Sequence, residues 1–490
     1  MFADYVYKKS SAEYNNRVIL IDSDGLESKT KYSEYFAKRG FEIIRYQDDL
    51  HLRLKHEDAV SGANGSKYVL IVERGSYIPY DVLKRYQCYT VSLAKLFPML
   101  DVATIRDMDM QQMNYDLLSI AYDQNFSDHR SKDATRQFIE RVVYSRDNIE
   151  SYLHKRNEEM HTTALQAINY RDWCRVANLK ALIDNMAVGF GIEIETDDIH
   201  KKFVEFILQN FGKLSSEMNE DGPVLVSRAM EYMVSHSDKF AIVVMDGMSE
   251  FDWYIISQSF GDIYYEKSDT YAMIPTTTSI SRQCLLSNKF PCQLREPWKQ
   301  NKEKQEFIEC AKELGYTSEQ IEYKRGYDAD FSTSVKCIAI IINDIDDMVH
   351  AQKQCRLGMF NGISVLSKQG QLVKLVKCLI KKGFDVYIST DHGNTPCRGM
   401  GKLMRTGVEV ETKSRRMIVL KDFADKQKHI DQYKLIDYPK YYLSKEFDYL
   451  ICGVGSSFDA RDEEVMSHGG ITVDEVIVPF IKIKAVENNG

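Results

Sequence analysis

Six side chains in the second half of the chain are of the kinds that hold divalent cations. Asp246 follows an apolar run in Val244-Met245-Asp246-Gly247, and Asp346 and His350 lie four residues apart. Asp391 and His392 are adjacent in Ser389-Thr390-Asp391-His392-Gly393, and His468 precedes Gly469-Gly470. Only 11 histidines occur in the 490 residues, so three of them in one ordered set is a concentrated signal. Carboxylates and imidazoles without thiolate suit zinc first and manganese second. They do not suit an iron–sulfur or Cys-type structural zinc site. Asp346 and His350 share a face if their segment is helical, and can then reach one ion. Glycines after His392 and His468 permit tight backbone turns around a ligand.

A Thr-rich turn, Pro275-Thr276-Thr277-Thr278, lies between the first Asp and the rest. A Thr hydroxyl is a weak nucleophile unless ionised, and coordination to a dication is one route to its alkoxide. A pair of dications roughly 4 Å apart can clamp a phosphate ester, activating the nucleophile and stabilising the leaving oxygen. The chemistry expected is in-line attack on phosphorus by Thr278, a phosphothreonine intermediate, and its hydrolysis by water. Each piece alone has a plainer structural reading. Asp246-Gly247 is then a strand-end turn, Asp346 and His350 a surface helix pair, the threonines a helix cap, and His468-Gly469-Gly470 a loop. The joint order argues for the chemical reading.

Strands must deliver these groups to one place. Lys239–Met245, Cys337–Ile342, Asp385–Ile388 and Met417–Leu420 are nearly continuous apolar runs separated by helical patterns such as Gln371–Lys382. That alternation predicts an α/β domain over 236–490, a parallel sheet with helices on both faces. The first three strands each end at a candidate ligand, and sites in open α/β sheets form at the carboxyl ends of strands.

Upstream, residues 17–21, 41–46 and 67–72 read as three short buried strands, so 1–95 is expected to be a small α/β domain. The third strand ends Glu73-Arg74-Gly75 rather than in an Asp, which argues against a phosphoacceptor receiver domain. A docking or dimerisation role, and with it a homodimer, is the expectation. Residues 96–235 carry apolar positions at helical spacings and read as a helical connector domain.

Apolar residues make up 44% and charged residues 28%, as in a soluble globular protein of two or three domains. A net charge of −8 argues against a general nucleic-acid-coating protein. The 10 cysteines form no C-x-x-C pair, and Cys337, Cys378 and Cys452 read as buried thiols of a reducing compartment. The first 20 residues hold no apolar signal core, and no 18-residue apolar run exists to cross a membrane. A cytoplasmic protein is expected.

The ordered set Met245-Asp246-Gly247, Pro275–Thr278, Asp346–His350, Thr390–Gly393 and Ser467–Pro479 resembles the PglZ domain of the alkaline phosphatase superfamily. The Glu475-Val476-Ile477-Val478-Pro479 tail is its most specific piece, and the resemblance covers about residues 236–485. More distantly, the set resembles the cores of cofactor-independent phosphoglycerate mutases and nucleotide pyrophosphatase/phosphodiesterases. The resemblance implies an alkaline-phosphatase-like core with two divalent metal ions. One would be held by Asp346, His350 and His468. The other would be held by Asp246, Asp391 and His392, with the Thr278 oxygen bridging toward it. It also points to Thr278 as nucleophile, the Thr three positions after Pro, with Thr277 as fallback. No counterpart of the phosphate-gripping arginine of classical alkaline phosphatases is evident. Arg282, four residues past Thr278, either fills that role or is a surface residue.

Between Gly399 and Lys421 stand six Lys/Arg against two Glu, a segment that could hold a polyanion such as an oligonucleotide or simply precede an edge strand. PglZ-domain proteins are associated with phage-defence systems of the BREX type. The expected function is therefore a phosphodiesterase or phosphatase acting on a phosphate ester, a nucleotide or oligonucleotide, in phage defence. The alternative from another class is an interaction subunit of a BREX-type defence complex, partnered by other defence proteins, whose metal site is a structural clamp. A phosphomutase is a third reading.

Overall fold

The computed structural model describes residues 1–490 except 62–64, 110–112, 126, 262, 352, 404–409, 413, 422–425 and 486–490. The chain divides into two compact units, Met1–Lys155 and Arg156–Gly490.

The first unit holds a four-stranded parallel sheet of β1 (Arg17–Asp22), β2 (Phe41–Arg45), β3 (Lys67–Glu73) and β4 (Gln87–Val91), in the order β2-β3-β1-β4. Val18, Ile19, Leu20 and Val69, Leu70, Val72 are buried, as expected of strands covered on both faces. Helices Val102–Asp109, Tyr115–Gln124 and Lys132–Phe138 complete it.

The second unit is built on a six-stranded sheet. Its strands are β5 (Phe240–Met245), β6 (Glu266–Tyr271), β7 (Ile321–Arg325), β8 (Cys337–Ile342), β9 (Asp385–Ser389) and β16 (Ile477–Ile483), in the order β6-β16-β9-β5-β8-β7. Strands β9, β5, β8 and β7 are parallel, as the apolar runs predict. Strand β16 runs antiparallel to both β6 and β9, so the sheet is mixed. All six residues of β5 and of β8 are buried. Removing one such Val or Ile side chain from water is worth about 1.5–3 kcal/mol, which fixes these strands at the centre. Ala241, Val243, Ile338, Ile340 and Ile388 pack with Phe251, Trp253, Met359, Leu375 and Leu379 from the helices Glu250–Ile256, Cys355–Gln369 and Gln371–Lys381.

One strand belongs elsewhere than expected. Met417–Lys421 (β11) pairs antiparallel with β13 (Phe447–Ile451), which also pairs with β12 (Ile436–Asp437), in a separate three-stranded sheet. Its Ile418 and Leu420 bury against Leu435, Leu450 and Cys452 rather than the central core. A third small sheet joins β10 (Thr395–Gly399) to β14 (Ser456–Ser457) and β15 (Glu464–Ser467). Among the described residues no helix is long and apolar enough to cross a membrane. All ten cysteines are free, and of the three singled out in the sequence Cys337 and Cys452 are buried while Cys378 is half-buried.

Candidate active site

Register brings the candidate ligands to one edge of the central sheet. Met245 pairs with Ile342 and Val244 with Ser389, so β5, β8 and β9 end side by side. Asp246 follows β5 directly, Asp391 lies two residues past β9, and Asp346 and His350 sit on helix Asp344–Ala351 that follows β8. His468 arrives by another route. It follows β15, whose last residue Ser467 pairs with Thr395 just after the Asp391-His392 turn.

The six side chains gather into two triads, Asp346–His350–His468 and Asp246–Asp391–His392, with one ligand atom of each member within 4.8 Å of the others. The triads abut: the His468 ring stacks on His392 at 4.1 Å between centroids. In the first triad, Asp346 Oδ2 lies 3.4 Å from His350 Nε2 and Oδ1 lies 3.5 Å from His468 Nε2. This triad opens to solvent through His350, whereas all three members of the second are buried.

Backbone carbonyls set both histidine rings. His392 Nδ1 stands 3.0 Å from the Gly393 carbonyl and His468 Nδ1 stands 3.0 Å from the Thr276 carbonyl. A carbonyl only accepts, so each Nδ1 carries the proton and each Nε2 presents its lone pair to the site. Burial keeps both rings neutral, with the His468 pKa lowered to about 3 by burial and by the neighbouring His392. The His350 pKa is raised by its hydrogen bond to Asp346. Burial would push the Asp346 carboxyl up, but its hydrogen bond with His350 holds it well below the usual range.

The second triad is electrostatically costly as it stands. Asp246 and Asp391 are buried carboxylates whose pKa values are raised by burial, and in Asp246 also by Asp391. Oxygens Asp246 Oδ1, Asp391 Oδ2 and Asp346 Oδ1 are buried without a hydrogen-bond partner. Unpartnered buried carboxylate oxygens beside imidazole lone pairs are the donor set that a divalent cation satisfies. The residues therefore fit the metal ions that their types predict.

The three threonines separate by role. Thr276 is fully buried; its hydroxyl donates to the Gly470 carbonyl at 2.8 Å and accepts from the Gly469 N–H at 3.0 Å, tying this turn to the His468 loop. Thr277 occupies the N-cap position of helix Thr278–Ser287, with no side-chain capping bond, and its hydroxyl lies 3.5 Å from Ser279 Oγ. Thr278, half-buried at the helix start, places Oγ1 3.0 Å from His392 Nε2.

Arg282 is fully buried and not on the surface. Its Nη1 donates to Asp246 and its Nε donates to Glu303 at 2.6 Å. The guanidinium expected to grip phosphate is thus committed to carboxylates of the protein. In the basic stretch after Gly399, Arg416 is buried against Glu475 at 3.0 Å and Arg415 pairs with Asp459 at 2.7 Å. Arg405 and Lys413 lie outside the described residues.

Further residues support the ligands, most of them without a sequence signal. Asn394 donates to the Gly247 carbonyl at 2.8 Å and to Asp252 at 2.6 Å, joining the turns after β9 and β5. Ser281 donates to the Asp391 carbonyl at 2.5 Å. Glu475 accepts from the N–H groups of Gly470 and Thr472, fixing the loop after His468. The signal for Glu475 was its place in the Glu-Val-Ile-Val-Pro tail; Glu303 sits in an ordinary charged run.

Comparison with known proteins decides the family. A family model described as the BREX system PglZ alkaline phosphatase-like domain matches residues 225–483, more than half of the chain. The chain belongs to the PglZ family. Its PglZ domain thus spans the central sheet and both triads, while the first unit lies outside the match. No curated protein matches the chain. Among solved structures, murine ectonucleotide pyrophosphatase/phosphodiesterase 5 is similar at 11% identity, covering 50% of this chain and 88% of that one, with a TM-score of 0.36. The human counterpart is similar at 14% identity, covering 50% and 87%, with a TM-score of 0.33. Phosphonoacetate hydrolase from Sinorhizobium meliloti 1021 is similar at 10% identity, covering 52% and 92%, with a TM-score of 0.32.

Proposed function

We propose that this PglZ protein is a metal-dependent phosphoric ester hydrolase whose nucleophile is Thr278. The observation that carries the reading is the Thr278 hydroxyl, 3.0 Å from the ligand-type nitrogen of His392, beside two abutting Asp/His triads. Asp346, His350 and His468 would hold one divalent ion and Asp246, Asp391 and His392 the other, zinc before manganese. When bound, such ions supply Lewis-acid stabilisation of phosphate oxygens and lower the pKa of the attacking hydroxyl.

The protein's own groups do the rest. The Gly393 carbonyl holds His392 in the tautomer whose Nε2 faces Thr278. Thr276 ties the turn before the nucleophile to the His468 loop, which fixes the backbone from which Thr278 projects. Helix Thr278–Ser287 begins at the nucleophile, and its positive end favours an anionic ester there. Thr278 loses its proton to solvent, its oxygen bonds to phosphorus, and the ester's P–O bond breaks, the departing alkoxide taking a proton from solvent to leave as the alcohol. Water then cleaves the phosphothreonine to release phosphate or a phosphomonoester.

We propose a nucleotide or oligonucleotide as substrate and a role in BREX-type phage defence, in keeping with the family. Of the described basic residues after Gly399, Lys402, Lys421 and the Asp459-paired Arg415 are exposed to meet a polyanion while Arg416 is buried, so the support from that segment is narrower than its charge count. The test is hydrolysis of bis(p-nitrophenyl) phosphate, p-nitrophenyl phosphate and a short oligonucleotide by chelator-stripped protein reloaded with Zn²⁺ or Mn²⁺. Turnover restored by metal and lost in Thr278→Ala is expected. Equal turnover in Thr278→Ala removes Thr278 from the chemistry. No turnover with any metal favours a defence-complex interaction subunit.

A further inference from the structure

A cation already occupies part of the buried triad. The Arg282 guanidinium is fully buried, donates Nη1 to Asp246 and stands 3.9 Å from Asp391 Oδ2. Its Nε donates to Glu303 Oε2, and Glu303 is held in turn by the Tyr323 hydroxyl and Arg325. Nη2 is buried and without a partner. The arrangement is a strut: Glu303 anchors the guanidinium from behind and lodges its charge against the carboxylates that would hold a dication. Among the described residues no Lys or Arg pairs with Asp346 in the other triad, which contacts two imidazoles.

We infer that Arg282 is a resident counter-ion that makes the two triads load unequally, the Asp346–His350–His468 triad first and the Asp246–Asp391–His392 triad second, in competition with the guanidinium. The inference rests on the two-ion reading above. Asp246, Asp391, His392 and Arg282 are all buried, so repulsion between a dication and the guanidinium is poorly screened. An arginine cannot relieve it by losing a proton. Burial alone would favour the neutral form, yet Asp246, Asp391 and Glu303 hold Arg282 charged. The competition is therefore set by how strongly Glu303 draws the guanidinium away from Asp246. At limiting metal the site works with one ion and one arginine, and at excess metal with two ions.

Calorimetric titration of the chelator-stripped full chain with Zn²⁺, paired with Co²⁺ absorption spectra, tests this without any substrate. Two binding steps separated by at least ~10-fold in affinity are expected. His350→Ala removes the tighter step and so assigns it. Arg282→Met tightens the weaker step by at least ~10-fold, because Asp246 and Asp391 lose their competitor. Glu303→Gln weakens that step by at least ~10-fold, because the guanidinium then rests wholly on the carboxylates. The opposite signs separate electrostatics from packing, since a merely loosened fold weakens the step in both variants. If Arg282→Met does not fold, Glu303→Gln decides alone. Equal wild-type steps, or a weaker step unmoved by Glu303→Gln, overturn the inference while leaving two bound ions. Absence of bound ions in every protein overturns this and the two-ion reading together.

Discussion

Thr278 Oγ1 lies 3.0 Å from His392 Nε2, whereas the hydroxyls of Thr276 and Thr277 are turned to Gly470 and Ser279. Three consecutive residues of one type therefore have three different environments, and only one of them faces the ligand nitrogens. Thr277→Ala is expected to leave turnover of bis(p-nitrophenyl) phosphate within a few-fold of the parent. Thr278→Ser, which keeps the oxygen, should retain measurable turnover, and Thr278→Ala should lose at least ~10³-fold, as removal of an attacking group does elsewhere. Metal content measured by emission spectrometry should be equal in all three. A Thr277→Ala protein as dead as Thr278→Ala would move the nucleophile one residue back.

Gly393 admits no side chain. A Cβ there would stand 1.9 Å from the Asp474 carbonyl oxygen, and the Gly393 N–H donates to the Glu475 carbonyl at 3.0 Å. The same residue supplies the carbonyl that orients His392. Gly393→Ala must push the Val473–Val476 turn and the His392 turn apart, at a cost of ~3 kcal/mol or more, above the usual overpacking range. Thermal denaturation should show the loss of stability, and zinc titration a weakened site. Unchanged values for both would mean that the turn yields more easily than its hydrogen bonds suggest.

Five of the six ligand-type side chains were legible because each follows a strand that announces itself as an apolar run. Asp246 and Asp391 come straight off β5 and β9, and the helix bearing Asp346 and His350 follows β8. Chain order along a parallel sheet then forces them to one edge. His468 was legible only as a motif, since its strand, β15, belongs to a small sheet that no periodicity identifies. Charge partners were not legible at all. Arg282 and Glu303 are 21 residues apart on different helices, and nothing local says that both turn inward. Arg415 and Arg416 looked like an exposed basic run, yet Arg416 is 1% exposed because Glu475 neutralises it. Met417–Leu420 has the composition of a central strand, and a four-residue apolar run does not specify which sheet it joins.

A second buried charge cluster braces the site from behind. Lys180 donates to Asp184 at 2.6 Å and to Asp474 at 3.0 Å, and Arg356 reaches Asp474 at 2.6 Å. Asp474 is the residue whose carbonyl closes on Gly393. Lys180→Met leaves Asp184 and Asp474 with fewer positive partners in a buried setting, and loss of one member of such a cluster costs ~3–5 kcal/mol. All three tryptophans, Trp173, Trp253 and Trp298, fall within residues 156–490, so tryptophan fluorescence in urea follows this unit alone. A shift of the midpoint smaller than that of a surface control such as Lys368→Met would show that the cluster is held by packing instead.

His200 gives that cluster a pH signature. It is buried, accepts from the Val473 N–H at 3.3 Å, and its Nε2 stands 3.7 Å from Asp474 Oδ2. Burial first, then the charges of Lys180, Arg356 and Arg416 against that of Asp474, lowers its pKa to about 3. Between pH 3 and the ordinary histidine value near 6.5, the unfolded chain binds a proton that the folded chain does not. Stability from this group is therefore complete above about pH 6.5 and falls as the pH falls, by ~2 kcal/mol at pH 5. His392 and His468, also lowered, act in the same direction, while the raised His350 acts in the opposite one, so the total slope belongs to no single ring. Comparison with His200→Asn isolates it, because an Asn oxygen can still accept from Val473. The fluorescence-detected urea midpoint of the parent should drop more steeply between pH 7.5 and 5 than that of His200→Asn. Parallel slopes would mean that His200 takes up its proton in the folded state, with Asp474 as the partner that stabilises it.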